Sequence, residues 1–446
     1  MRILSFTGGA GNMYCGSCLR DNALASELMR RGHDFVLTPV YTPTRTDEKN
    51  VSGSQIYFGG ISVFLEQHSA IFRHTPRLVD RIWDSSWALR LATKRQIKVD
   101  AKSLGEMTVS MLKGEEGYQA KEIEKLLEWL RTEPPFDVIN LPYALVLGLA
   151  EPLKRELKTP LCVTLGGDDL FLDALGEPHR TQSMDLIRKA SVHVDAFLPV
   201  SQYYMDFMPA YLGVPRSKMR LAPLGITTED LTPRARPEGS PFTIGYLARI
   251  APEKGLHVLA EAYVRLRQRP GTDGMRLIAA GYLPADHQGY LDNVRASLRK
   301  VDLENEFTYR GEVDRAQKVA FLHELDVLSV PTTYKEPKGL FVLEAMAAGV
   351  PVVQPCHGAF PEMIERTGGG LLVDPGDPAA LAEGILGLRQ DPSLAESLGR
   401  AGAAGVREHY SVQRMAERVE EIYAELSQPP TLNAQLPTAN SQGLGC

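Results

Sequence analysis

The chain has 446 residues, 43% hydrophobic and 23% charged, with a formal net charge of −6. This is the composition of a soluble globular protein of two or three ordinary domains. The negative balance gives no reason to expect a nucleic-acid partner, and no apolar run approaches the ~18–20 residues that span a bilayer. Five cysteines in a chain of this size point to a reducing compartment without a disulfide framework. The opening MRILSFTGG reads as a strand entering a glycine loop and not as a signal peptide, so the expected location is the cytoplasm.

Residues 2–6 form a short apolar strand, T-G-G-A-G at 7–11 a glycine turn, and residues 19–31 an amphipathic helix ended by Gly32-His33. With a strand at 35–37 this is a βαβ opening, and strands alternate with helices further on, which implies parallel sheets. The G-G-x-G spacing is not the dinucleotide fingerprint. Residues 41–132 are irregular: a loop at 43–48, strands around Gly59-Gly60, and helices of which 120–130 is the clearest. Such an excursion is expected to build an acceptor-side wall. Buried strands follow at 137–140, 161–165 and 197–200. Residues 226–241, with Pro233, Pro237 and Pro241, form the best interdomain linker. A second alternating region starts at 242 and includes strands at 244–247, 276–280 and 325–330. Val412, Met415, Val419, Ile422, Tyr423 and Leu426 give the last helix one apolar stripe. The polar, proline-containing tail at 428–446 is expected to be disordered. The expected units are thus 1–225, a linker at 226–241, 242–410, and a final helix at 411–427.

The most informative segment is E-P-K-G-L-F-V-L-E at 336–344, followed by A-M-A-A-G-V-P at 345–351. It lies between a strand and a helix. Unpaired N–H groups at a helix start suit a phosphate. Carboxylates at Glu336 and Glu344 would only repel that phosphate, but they suit hydroxyls on either side of it, those of a sugar and of a ribose. The plain alternative, a βα unit with solvated glutamates, is disfavoured by Pro337, Gly339 and a basic pair upstream. That pair is Arg249 and Lys254 in R-I-A-P-E-K-G at 249–255; a planar fork and a mobile point charge after one strand can converge on a diphosphate.

These two elements, with G-G-G-L-L-V-D-P-G-D-P at 368–378, resemble the retaining glycosyltransferases of family 4. The resemblance runs from the first strand to about Tyr423 and is strongest over 244–378. It implies the α/β GT-B fold: two Rossmann-like domains facing across a cleft, with the last helix crossing back to the first domain. It also implies transfer of a sugar from a nucleoside-diphosphate sugar to a hydroxyl acceptor, which could be a sugar, a lipid-linked molecule or a small molecule. No cofactor and no metal are expected. Arg249, Lys254 and Glu336 would carry the chemistry. Donor binding would add Gly8, Gly9, Lys338, the backbone of Gly339 and Leu340, and Glu344.

Many members of that family carry histidines where this chain has Asn140 and Pro142, and again where it has Gly166. Asn140, Asp168 and Asp169 are the candidate acceptor-side substitutes, with a capping or turn role for the aspartates as the alternative. The missing imidazoles motivate a second hypothesis, a non-catalytic nucleotide-sugar sensor or scaffold. A phosphorylase of the same architecture is disfavoured, because no lysine motif suits a pyridoxal aldimine. Cys15 and Cys18 at the start of the first helix read as plain loop residues. His68, Arg73 and His74 could reach the acceptor region. Trp83 and Trp87 among arginines leave peripheral membrane contact open.

Overall fold

A strand buried on both faces needs apolar residues at nearly every position. Residues LCVTL of Leu161–Leu165 and TIGYL of Thr243–Leu247 are buried throughout, and they lie in two separate sheets. The computed structural model describes residues 1–9, 13–53, 101–234 and 236–428. The first sheet contains β1 (Arg2–Thr7), β2 (Asp34–Pro39), β3 (Val138–Leu141), β4 (Leu161–Leu165) and β5 (Ala196–Pro199), in the order β2-β1-β3-β4-β5. The second contains β6 (Thr243–Leu247), β7 (Arg276–Ala280), β8 (Phe307–Tyr309), β9 (Val327–Leu328), β10 (Val352–Pro355) and β11 (Gly370–Val373), in the order β11-β10-β9-β6-β7-β8. All pairings between these strands are parallel. Each sheet is covered by helices, so the molecule has two Rossmann-like lobes, as the sequence implies.

The helices that position the site are α1 (Gly16–Arg30), α2 (Asp168–Ala174), α3 (Gln202–Leu212), α4 (Leu256–Arg267), α5 (Arg315–His323), α6 (Leu340–Ala347), α7 (Phe360–Thr367) and α8 (Val412–Ser427). Alternate residues of β1 serve two cores. Leu4 and Phe6 face one, with Ile139 and Val163; Ile3 faces the other, with Val138, Cys162 and Ala196. The second core is closed by α8, whose Met415, Val419, Ile422 and Tyr423 pack on it together with Leu24 and Leu28 of α1. Each such side chain contributes roughly 1.5–3 kcal/mol, so the last helix crosses back because the first sheet would otherwise expose an apolar face. The two segments passing between the lobes lie side by side. Ile226 N–H donates to the Tyr410 carbonyl and Val412 N–H to the Ile226 carbonyl, both at 2.9 Å.

Most boundaries shift by a residue or two from the sequence expectation, and two of the shifts have a clear cause. Helix α1 starts at Gly16 and not at 19, because the opening turn C-G-S-C carries no apolar periodicity. Strand β9 is confined to Val327–Leu328; Val330 N–H turns to the Gln354 side chain at 3.3 Å. The strands expected around Gly59-Gly60, His68, Arg73, His74, Trp83, Trp87 and the tail from 429 lie outside the described residues. Among those described, no helix is long and apolar enough to cross a membrane. Cys15, Cys18 and Cys162 are free thiols.

Candidate functional site

Ligands in open α/β sheets bind beyond the carboxyl ends of the strands. Beyond β6, β7 and β9, and against the start of α1, lies a cavity of about 350 Å³. Arg249, Lys254, Glu336 and Glu344, expected from sequence to converge, all line it. So do Lys338, Gly339 and Leu340.

The chain after β6 carries Arg249, then one 3₁₀ turn, Pro252–Lys254, and Gly255 at φ +76°. A Cβ at Gly255 would collide with the Pro331 carbonyl oxygen. That close approach holds Lys254 at the foot of β9. Its Nζ lies 2.5 Å from Glu336 Oε2 and 2.6 Å from the Tyr334 hydroxyl, and 4.9 Å from the centre of the Tyr334 ring. The Tyr334 hydroxyl donates to the same carboxylate oxygen. The other oxygen accepts from the N–H of Lys338 at 3.2 Å and of Gly339 at 3.4 Å. Glu336 is only 2% exposed. Burial pushes its pKa up, but the Lys254 ammonium, the Tyr334 hydroxyl and Lys338 outweigh burial and hold it at about 2. Gly339 takes φ +63° to start α6, which sets Glu344 in the second helical turn. Arg249 forms an ion pair with Glu253.

The first lobe reaches this cavity through different residues from those expected. Tyr14, Cys15, Asp47 and Gly167 line it; Gly8, Gly9, Asn140, Asp168 and Asp169 do not. Gly9 has φ +69°, and a Cβ there would collide with the Thr42 carbonyl, while one on Gly8 would meet the Tyr143 ring at 3.0 Å. Their smallness serves the packing of the first loop. Asn140 is a buried rung between β1 and β4: its Nδ2 donates to Ser5 Oγ at 3.2 Å, and its Oδ1 accepts from Thr164 Oγ1 at 3.1 Å. Asp168 accepts from the N–H of Ala144 at 2.7 Å and of Gly166 at 3.1 Å, and burial raises its pKa to about 6 against those two bonds. Asp169 accepts from the Tyr204 hydroxyl. Both aspartates are thus held by protein partners, Asp168 by loop N–H groups and Asp169 by a side chain of α3, while the N-cap of α2 is Gly167.

Lys338 crosses the cleft. Its Nζ donates to Ser17 Oγ in the first turn of α1 at 2.8 Å, and its Cδ would lie 3.5 Å from a Cβ at Gly166. The lysine stem thus occupies the space beside a residue that has no side chain. Cys15, the residue before α1, accepts a hydrogen bond from the Cys18 thiol. That bond and Lys338 hold Cys15 well below the usual thiol range despite burial, while the same bond and burial push Cys18 up. Among the described residues no group of three His, Cys, Asp or Glu is arranged to hold a metal ion.

Sequence reasoning missed Asp47, Glu312 and Lys318, which also line the cavity. Residues 45–48 belong to the stretch assigned from sequence to the acceptor side, yet they close over the second lobe. Glu312 accepts from Tyr14 N–H at 3.1 Å and from Arg45 Nη1 at 2.7 Å. On the far side of the cleft Glu362 of α7 accepts from the N–H groups of Gln202 and Tyr203 at 3.0 and 2.9 Å, satisfying the start of α3 from the other lobe. Among the described lining residues, Arg249, Lys254, Lys318 and Lys338 face Asp47, Glu312, Glu336 and Glu344, so the formal charge cancels.

Residues 228–404 match the family model for glycosyl transferases group 1, and residues 108–230 that for Glycosyltransferase Family 4. An amylovoran biosynthesis glycosyltransferase of Erwinia amylovora is 29% identical over 299 residues, 64% of this chain and 70% of that protein. A phosphatidyl-myo-inositol mannosyltransferase of Mycobacterium tuberculosis is 32% identical over 210 residues, 45% of this chain and 52% of the relative. With several curated relatives the chain spans about half their length or less, as with the 44% of a glycogen synthase of Mycobacterium tuberculosis. Among solved structures, HepE of Anabaena in complex with UDP and glucose aligns with a TM-score of 0.67 at 17% identity, covering 96% of this chain and 100% of that one. Sucrose-phosphate synthase from Thermosynechococcus elongatus aligns with a TM-score of 0.69 at 17% identity, over 96% and 99%. The shared architecture is GT-B.

Proposed function

Because the chain belongs to the group 1 and family 4 glycosyltransferases and has the GT-B fold, we propose that it moves a sugar from a nucleoside-diphosphate sugar to a hydroxyl acceptor, with retention of anomeric configuration and in the cytoplasm. The observation that carries this reading is the meeting of Arg249, Lys254, Glu336 and Glu344 in one cavity. Arg249 and Lys254 take the donor diphosphate. They are paired with Glu253 and Glu336, so the diphosphate competes with carboxylates for its cations. Glu336, ionised at every pH well above 2, accepts from the hydroxyls of the transferred sugar. The N–H groups at the start of α6 approach a phosphate, and Glu344 takes the ribose hydroxyls.

The acceptor hydroxyl attacks the anomeric carbon on the face from which the leaving group departs, the nucleoside diphosphate leaves with the bonding electron pair, and the hydroxyl proton passes to its freed phosphate oxygen. Arg249 and Lys254 stabilise the charge that develops on it, the kind of preorganised electrostatic term that dominates such steps. That role is filled by side chains, so no bound metal is required. Because one neighbour binds UDP-glucose and one relative is a GDP-mannose-dependent mannosyltransferase, UDP-glucose and GDP-mannose are the first donors to try. Incubation with UDP-, GDP- and ADP-sugars is expected to release nucleoside diphosphate slowly with at least one of them, insensitive to EDTA. Absence of binding and of turnover with every donor would reject the proposal. Binding without transfer to any acceptor in a cell extract would instead favour a sensor or scaffold.

A further inference from the structure

Three charges on residues 45–48 of the first lobe meet three opposite charges on residues 312–318 of the second. Arg45 Nη1 lies 2.7 Å from Glu312 Oε2, Asp47 Oδ2 2.6 Å from Lys318 Nζ, and Glu48 Oε1 3.6 Å from Arg315 Nη1. The middle pair is the most deeply buried, with side chains 3% and 8% exposed. Lys318 Nζ also lies 2.6 Å from Glu344 Oε1. One ammonium therefore stands between two carboxylates, one from each lobe, and all three line the donor cavity. Burial works against the Lys318 charge, but Glu344 and Asp47 outweigh it and raise its pKa above the usual value. The ammonium persists across the neutral range.

We propose that Lys318 is a positioning residue for the donor ribose: it fixes the Glu344 carboxylate, and through Asp47 it makes that grip depend on the first lobe being docked. The inference rests on the proposed role of Glu344. A carboxylate offers about four lone-pair sites. Lys318 engages Oε1, which sets the plane of the group and leaves the remaining sites for hydroxyls. Without the lysine, the glutamate would have to be ordered by the ligand itself, and binding would bear that entropy. Asp47 supplies the second carboxylate from residues that join the cavity only when the lobes are together.

The test compares UDP with 2′-deoxy-UDP as ligands of the full chain, with the GDP and ADP pairs run in parallel. In the wild type, the ribonucleotide is expected to bind about tenfold to a hundredfold more tightly than its 2′-deoxy counterpart, the range for a hydrogen bond to a charged group. In Lys318→Met that ratio should fall to about twofold or less, while both nucleotides still bind through the diphosphate. A structural role alone would weaken both ligands equally and leave the ratio intact, which would overturn the proposal. No discrimination in the wild type would instead defeat the assignment of Glu344. Asp47→Asn removes the link to the first lobe on which the grip depends, so it should lower the ratio in the same direction by a smaller factor. If Lys318→Met does not fold, Asp47→Asn decides: a ratio that stays at the wild-type value, with affinities unchanged or both weakened equally, overturns the proposal.

Discussion

Glu336 of the second lobe and Asp168 of the first are both carboxyls buried beside the cleft, both accept from two backbone N–H groups, and they titrate in opposite directions. Glu336 is held at about 2 and Asp168 rises to about 6. Burial pushes both upward. The difference is the ammonium of Lys254, 2.5 Å from Glu336, for which Asp168 has no equivalent ion pair among the described residues. At the strand ends of the second lobe, charges are paired with each other and face the cavity; at those of the first, polar groups are consumed by their own loops. The sharpest way to break this contrast is Lys254→Met. Transfer should fall by about 10²–10³-fold as the charge-stabilising cation is lost. The fold should also lose roughly 3–5 kcal/mol, because Glu336 becomes an unpaired buried charge. Single-turnover rates and urea denaturation report the two effects separately. Transfer within tenfold of wild type would return the donor role to other residues.

The opposite shifts give the next largest effect. A pKa lowered from 4.5 to about 2 corresponds to about 3 kcal/mol. That stability is present above pH 4.5 and lost as the pH falls towards 2. For Asp168, raised from 3.8 to about 6, the sign reverses: about 3 kcal/mol is present below pH 3.8 and lost as the pH rises through 6. Urea midpoints of Glu336→Gln and Asp168→Asn, each subtracted from wild type between pH 2 and 7, should therefore slope in opposite directions. Parallel slopes would erase the distinction between the two lobes.

A smaller effect separates packing from ligand contact in the first loop. Gly9→Ala places a methyl against the Thr42 carbonyl at φ +69°, so it should cost roughly 1–3 kcal/mol of stability. The nucleotide affinity of the folded protein should stay within twofold of wild type. A selective loss of affinity with unchanged melting temperature would restore the direct ligand role expected for Gly8 and Gly9.

The same contrast explains what was legible in the sequence. Arg249, Lys254, Glu336 and Glu344 lie on two contiguous strand–loop–helix stretches, and the left-handed glycines Gly255 and Gly339 fix where each helix begins. Spacing along the chain thus translates into position in space. Lys318 has no such marker. In R-A-Q-K-V-A-F-L-H a buried lysine on α5 looks like an exposed one, and its partner Asp47 comes from the other lobe. Asn140, Asp168 and Asp169 were placed near the right strand ends, but sequence does not reveal that Thr164, Ala144 and Tyr204 already occupy them. The overall architecture was readable because continuous apolar strands and the stripe on α8 depend on local pattern alone.

The smallest expected effect concerns the bond that joins the two sides of the cavity directly, Lys338 to Ser17. Both residues are partly exposed, so the bond is partly screened and Ser17→Ala should raise the donor KM by about twofold to fivefold with kcat unchanged. Gly166→Ala should leave KM where it is, since the added methyl meets Val200 and the Lys338 stem at 3.4 and 3.5 Å, ordinary contact distances. Gly166→His, by contrast, asks an imidazole to occupy the space of that stem. It should raise KM by more than Ser17→Ala does, because it displaces the ammonium from the cleft instead of merely removing its partner. Equal effects of alanine and histidine at 166 would mean that the lysine does not fill this space in solution. A change above tenfold for Ser17→Ala would mean that the serine hydroxyl touches the donor itself.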